Sequence, residues 1–146
     1  MQNYFTETIT QEELLSQKID YSKPVIGLCP DWRFSISKTS DSLQIETTKT
    51  SFYYYSKLYQ SFKKIIEELG GQLLVLPFEA RAKDFVDKLD GYLIPGGRDI
   101  DPSLYGEENK GSQFDPISSK MRYEHVKDFL QHSSKSMPVL GICCGY

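Results

Sequence analysis

A chain of 146 residues fits one domain, since domains usually run to roughly 100–200 residues. With 39% hydrophobic and 25% charged residues it has the composition of a folded globular chain rather than a disordered tail. Its net charge of −3, with basic residues scattered rather than striped, argues against nucleic acid as a partner.

No apolar run approaches the roughly 20 residues that cross a bilayer, so no membrane partner is expected. The start, MQNYFTETITQEELL, lacks the charged-then-apolar order of a signal peptide, which makes the cytoplasm the expected compartment. The three cysteines, Cys29, Cys143 and Cys144, cannot all pair. Adjacent cysteines bond each other only with strain, so reduced thiols are expected. Neither His125 nor His132 completes a metal-binding spacing, and no metal is expected.

Residues 1–23 are polar without a repeating apolar face and read as a variable extension, with at most a loosely attached helix around Gln11 to Gln17. Pro24 opens PVIGLCP, an apolar run too short for helical periodicity, and so a first buried strand. Arg33 to Thr50 reads as a long loop or small hairpin. From Ser51 to Leu69, Tyr54, Leu58, Phe62, Ile65 and Leu69 recur at helical steps, and Gly70-Gly71 supplies a stop. QLLVLP (Gln72 to Pro77) is a second strand, Ala80 to Leu89 a helix, and Gly91 to Pro95 a third strand. A polar loop follows Gly96-Gly97. A helix near Ser119 to Gln131, carrying Met121, Val126, Phe129 and Leu130, then leads to a fourth strand, Pro138 to Cys143.

Apolar strands alternating with helices imply right-handed crossovers and a parallel, doubly wound α/β sheet. In such sheets ligands bind beyond the carboxyl ends of the strands. Gly96-Gly97 and Cys143-Cys144-Gly145 both stand at such ends and could face one site.

Gly141-Ile142-Cys143-Cys144-Gly145 has the Gly-x-nucleophile-x-Gly form of a nucleophile elbow. There the nucleophile occupies a sharp turn in which neighbouring side chains would clash. The pattern makes Cys143 the candidate nucleophile and the Cys144 amide a candidate oxyanion donor; the competing reading is a buried structural cysteine in a glycine-rich turn. Gly96-Gly97 could bring backbone N–H groups to the same oxyanion, or could simply end a strand. The spacing matches neither a dinucleotide nor a phosphate loop. Tyr53-x-x-x-Lys57 resembles a dehydrogenase spacing, but the glycine fingerprint that chemistry needs is missing, so the tyrosines read as packing residues. His125 and His132 read as surface or core residues rather than as a general base. Lys63-Lys64 and Glu67-Glu68 read as i,i+4 pairs on an exposed helix face.

The order PVIGLCPD, LGGQLLVLP, LDGYLIPGGRDIDPSLYG and PVLGICCG resembles the class I glutamine amidotransferase-like superfamily, whose fold is flavodoxin-like. Within it, the gamma-glutamyl hydrolase branch, which includes gamma-glutamyl-gamma-aminobutyrate hydrolases, is the nearest match. The resemblance covers residues 24–146. It implies cleavage of a small gamma-glutamyl amide through a thioester, without metal or organic cofactor. By position, Cys143 matches the nucleophile, Gly97 and the Cys144 amide the oxyanion hole, Gly141 and Gly145 the elbow glycines, and Asp99, Asp101, Pro102, Tyr105 and Gly106 the following loop.

Two departures accompany the resemblance. The family's catalytic histidine and carboxylate follow the nucleophile by a long stretch, whereas this chain stops three residues beyond Cys143. Lys120-Met121 also stands before Glu124 where an Arg-Asp pair is usual. A domain cut short after the elbow is therefore expected, inactive as a lone chain because a thiol with no base beside it stays mostly protonated near neutral pH. An uncovered sheet edge and a tendency to aggregate are expected with it. The alternatives are one half of a split hydrolase, whose second chain brings the missing groups, and a non-enzymatic flavodoxin-like binding or regulatory module.

Overall fold

The computed structural model describes residues 8–9, 16–29, 53–54, 57–77, 79–133 and 136–145. Its elements in chain order are β1 (Thr8–Ile9), β2 (Val25–Leu28), β3 (Tyr53–Tyr54), α1 (Lys57–Glu68), β4 (Gln72–Val75), α2 (Ala82–Phe85), β5 (Gly91–Ile94), α3 (Pro116–His132) and β6 (Val139–Gly141). Short 3-10 turns cover Val86–Lys88, Pro102–Tyr105 and Cys143–Gly145. The expected loop or hairpin at Arg33 to Thr50, and most of the segment around Gln11 to Gln17, lie outside the described residues.

The core is a parallel four-stranded sheet in the order β4-β2-β5-β6. Numbered from the first of these strands the order is 2-1-3-4, the flavodoxin-like arrangement expected from the sequence. Register runs Val25↔Gln72 to Leu28↔Val75 between β2 and β4, and Tyr92↔Val139 to Ile94↔Gly141 between β5 and β6. Alternate residues of each strand face opposite layers. On one face Val25, Cys29, Leu74, Leu76, Tyr92 and Ile94 pack with Ala82, Leu89 and Phe129; on the other, Leu28, Leu73, Val75 and Leu93 meet Phe62 and Ile66 of α1. Helices on both faces make the sheet doubly wound.

Several elements depart from the sequence reading. The helix expected from Ser51 begins only at Lys57, and Tyr53–Tyr54 instead pairs antiparallel with Thr8–Ile9, in keeping with the strand preference of aromatic residues. The face that α1 turns to the sheet carries Phe62 and Ile66, while Ile65 and Leu69 are 52% and 81% exposed, so the expected stripe is rotated by about one residue. Gly70 and Gly71 do end α1: the Gly70 N–H bonds Glu67 O at 3.0 Å and the Gly71 N–H bonds Ile66 O at 2.9 Å. The expected Lys63–Glu67 and Lys64–Glu68 pairs lie at 4.0 and 3.8 Å on its outer face. The helix expected over Ala80 to Leu89 is one short turn, α2, running into a 3-10 turn. By contrast α3 starts three residues earlier than expected, because the Asp115 carboxylate caps it at Ser118 N, 2.7 Å, with Pro116 at its first turn.

One further difference concerns burial. The buried stripe of α3 is Ser118, Ser119, Arg122, His125 and Phe129, largely polar, whereas the expected Leu130 is 49% exposed. At the edge strand β6, where the sequence leads one to expect an uncovered sheet edge, Val139 and Leu140 are 39% and 60% exposed.

The segment just before β2 is tied down along the outer edge of β4. The Gln17 side-chain amide donates to Val75 O and its carbonyl accepts from Val75 N, both at 2.9 Å, much as a neighbouring strand would. The Asp20 N–H donates to Gln72 Oε1 at 2.8 Å, and Ile19 packs against the core. Edge strands are natural sites of unwanted pairing, and this segment occupies that edge. Gln17→Ala is expected to lower stability by about 1–2 kcal/mol through the loss of both bonds. Urea denaturation checks this, and an unchanged midpoint would contradict it.

His125, 4% exposed, stacks on Phe129, which stacks in turn on Tyr92, and its Nδ1 lies 3.0 Å from the Tyr92 hydroxyl. Burial pulls its pKa from 6.5 down to about 4, against the opposing pull of the Pro77 carbonyl and Asp128. Because the folded pKa is the lower one, this contribution is complete above pH 6.5 and is lost as pH falls toward 4, on the order of 3 kcal/mol in all. Urea midpoints measured from pH 7 to pH 4 should fall less steeply in His125→Gln than in the native chain. Equal slopes would show that His125 does not carry the effect.

Candidate active site

The site forms where β5 and β6 end. After Ile94 the chain runs through buried Pro95 into Gly96 and exposed Gly97. Beside it, the Ile142 N–H bonds Ile94 O at 3.0 Å, extending the β5–β6 ladder by one residue before β6 breaks. The break is a tight 3-10 turn, Cys143–Gly145, in which the Gly145 N–H returns to Ile142 O at 2.9 Å. Cys143 has φ +55° and is the only non-glycine residue with positive φ among those described. An L-residue held in this left-handed region stores strain, and such residues cluster at functional sites.

The glycines on either side account for how that turn is held. A Cβ on Gly145 would collide with the Ile94 carbonyl oxygen and lie 2.9 Å from its carbonyl carbon. A Cβ on Gly96 would stand 2.9 Å from Cys143 Cβ, 3.3 Å from Ile142 O and 3.6 Å from Cys143 Sγ. The turn therefore packs backbone to backbone on the end of β5, and Gly96 brings the following loop against the cysteine. Gly141 is the last residue of β6 and pairs with Ile94.

Of the residues picked out from the sequence, the structure brings together Gly96, Gly97, Asp99, Gly141, Cys143, Cys144 and Gly145. Cys143 and Cys144 are exposed, whereas Cys29 is buried with no exposed surface. Cys143 Sγ lies 3.9 Å from Cys144 Sγ, whose thiol in turn faces Asp99 Oδ1 at 3.7 Å. Partial burial, then the Cys143 thiol and the Asp99 carboxylate, push the Cys144 thiol above its ordinary pKa.

The loop beyond Gly97 is fixed by side chains that apolar periodicity does not reveal. Asp99 Oδ2 accepts from Gln113 N at 3.1 Å, and Asp101 caps the Pro102–Tyr105 turn by accepting from Ser103 N at 2.9 Å. The Asp101 N–H donates to Ser119 Oγ at 2.5 Å. Arg122, 3% exposed, directs its guanidinium to the Pro95 carbonyl just ahead of Gly96. The only sequence signal for Arg122 is its i,i+3 and i,i+7 spacing from His125 and Phe129. The two histidines stay apart from the thiols: His125 is engaged with Tyr92 inside the core, and His132 sits on α3 with Nδ1 3.1 Å from Asp128 Oδ1. Among the described residues no group of His, Cys, Asp and Glu has the arrangement of a metal site.

Gly145→Ala is expected to cost about 3 kcal/mol, at the upper end for overpacking, because the obstructing atoms belong to the Ile94 backbone and cannot rotate away. Gly96→Ala should cost less, since its nearest approach, 2.9 Å to Cys143 Cβ, is milder than the collision at Gly145, but by pressing on Cys143 it should change the rate at which iodoacetamide modifies it. Urea denaturation and residue-resolved mass spectrometry check the two. A Gly145→Ala chain as stable as the native one would contradict the packing described.

Among the described residues no helix is long and apolar enough to cross a membrane. Comparison with known proteins matches residues 36–146 to the Peptidase C26 family. A glutamine amidotransferase-like protein, the YvdE homolog of Lactococcus lactis subsp. cremoris, is 31% identical over 106 residues, covering 68% of this chain and 55% of its own. The glutamine amidotransferase-like protein YvdE of Lactococcus lactis subsp. lactis (strain IL1403) is 30% identical over 106 residues, covering 68% of this chain and 44% of its own. The chain thus spans about half the length of the curated relatives it matches. The four-stranded parallel sheet agrees with these matches, and the chain belongs to the Peptidase C26 family of the class I glutamine amidotransferase-like superfamily.

Proposed function

We propose that this chain carries the nucleophile half of a cysteine hydrolase that cleaves small gamma-glutamyl amides, the activity of the gamma-glutamyl hydrolase branch. The observation that carries the reading is Cys143, held exposed with φ +55° at the end of β6 between two glycines that leave no room for side chains. Family membership supports a hydrolase, and the motif resemblance supports the gamma-glutamyl bond as its target.

In the proposed reaction the Cys143 thiolate attacks the gamma-carbonyl carbon. The backbone N–H groups of Gly97 and Cys144 receive the negative charge that develops on its oxygen. Collapse of the tetrahedral adduct releases the amine, which takes up a proton, and leaves a glutamyl thioester on Cys143. Water then hydrolyses the thioester to glutamate. This chemistry uses no metal or organic cofactor. The Cys144 thiol stands beside Cys143 and is turned toward Asp99, with partial burial the first cause of its raised pKa.

Among the described residues no histidine stands beside the thiols. The sequence holds two histidines, and both are committed elsewhere in the fold. The base and its carboxylate would come from a further segment or from a second chain docked beside β6, and the lone chain is expected to be without turnover.

Incubated with gamma-glutamyl-p-nitroanilide at alkaline pH, the chain is expected to gain one glutamyl group on Cys143 without sustained release of p-nitroaniline. Cys143→Ala should gain none. Absence of any acylation, acylation of Cys29 or Cys144 in its place, or release that persists in Cys143→Ala would overturn the reading.

A further inference from the structure

The position after the proposed nucleophile holds a second thiol, which the hydrolytic reading uses only through its backbone N–H. Both side chains are exposed, their sulfurs lie 3.9 Å apart, and the Cys144 thiol is turned toward Asp99 Oδ1 at 3.7 Å. The third cysteine, Cys29, has no exposed surface and lies in the core cluster beneath β2 and β5. Oxidants from solvent therefore meet the 143–144 pair and not Cys29. An exposed thiol with a second thiol poised next to it is the arrangement of a reversible oxidation site.

We infer that Cys143 and Cys144 form a peroxide-responsive modification site, in which Cys144 resolves oxidised Cys143 as a vicinal disulfide. The inference rests on the reading of Cys143 as the reacting thiol. In the first step Cys143 attacks one oxygen of a hydroperoxide. The O–O bond breaks, the sulfur becomes a sulfenic acid, and the peroxide leaves as an alcohol, or as water from hydrogen peroxide. In the second step the Cys144 sulfur attacks the Cys143 sulfur, the S–O bond breaks, and hydroxide departs with the Cys144 proton as water. The two thiols together lose two electrons and two protons, and the peroxide takes up both.

Closing the bond requires the sulfurs to approach from 3.9 Å to about 2 Å, a motion within reach of χ1 rotation on two exposed side chains. Cα atoms across one trans peptide are about 3.8 Å apart, shorter than the usual disulfide range of about 4.4–6.8 Å, so the ring is strained. Strained, exposed disulfides are the ones that reductants reopen readily. The pair would thus shelter Cys143 from irreversible oxidation and suspend any chemistry at the site until a thiol reductant restores it.

Native chain treated with a slight excess of hydrogen peroxide, digested and analysed by mass spectrometry, is expected to show the Cys143–Cys144 peptide lighter by two hydrogens. Dithiothreitol should reverse the change, and Cys29 should remain unmodified. Cys144→Ser should instead trap a dimedone adduct on Cys143 and go on to sulfinic acid. The native-chain result stands even if that variant does not fold. Sulfinic acid on native Cys143 with no two-hydrogen loss would overturn the inference while leaving Cys143 as the reacting thiol. No oxidation of Cys143 at all, with Cys29 or Cys144 modified first, would overturn this inference and count against the nucleophile reading too.

Discussion

The arrangement at the strand ends depends on one contact, the backbone of the Cys143–Gly145 turn lying directly on the carbonyl end of β5. Only two missing Cβ atoms permit it, at Gly145 against Ile94 and at Gly96 against Cys143. Given that contact, the positive φ of Cys143, its exposure and the proximity of Cys144 to Asp99 follow together, because the turn has nowhere else to put its side chains. The parallel ladder fixes the contact in space: hydrogen bonds from Cys29 to Leu93 and from Ile142 to Ile94 carry the register of β2, β5 and β6 up to the point where the chain leaves the sheet.

The second support is α3. Its inward stripe would be a poor core in isolation, since Ser118, Ser119, Arg122 and His125 are all polar. Three of them hold neighbouring parts of the structure instead: Ser119 holds Asp101, Arg122 holds Pro95, and His125 meets the Tyr92 hydroxyl. Hydrogen bonds from a buried charge such as Arg122 are stronger than neutral ones and costly to leave unmade. A helix spent on such bonds gives up some apolar burial and gains precision at the loop that carries Gly96, Gly97 and Asp99.

Much of this was legible from the residues. Short apolar runs between helical patterns specify the four parallel strands and their class, and the spacing of Gly141, Cys143 and Gly145 singles out the turn. Patterns of apolar residues could not show what polar side chains do. Nothing in the apolar pattern marks Arg122 or Ser119, and Gln17 falls in a segment that reads as a loosely attached extension although its amide imitates a strand on β4. The α1 face was misplaced because Ile65 and Ile66 are equally apolar, and only the packing against Leu73 and Val75 distinguishes them.

On the proposed reading, the fold prepares Cys143, among three cysteines, to meet a gamma-glutamyl group. Residue-resolved labelling of the native chain with a chloroketone analogue of glutamine tests it most directly. The account predicts modification of Cys143 ahead of Cys144 and Cys29, slowed by excess gamma-glutamyl amide. Labelling of Cys143 and Cys144 at equal rates, indifferent to that competitor, would contradict it.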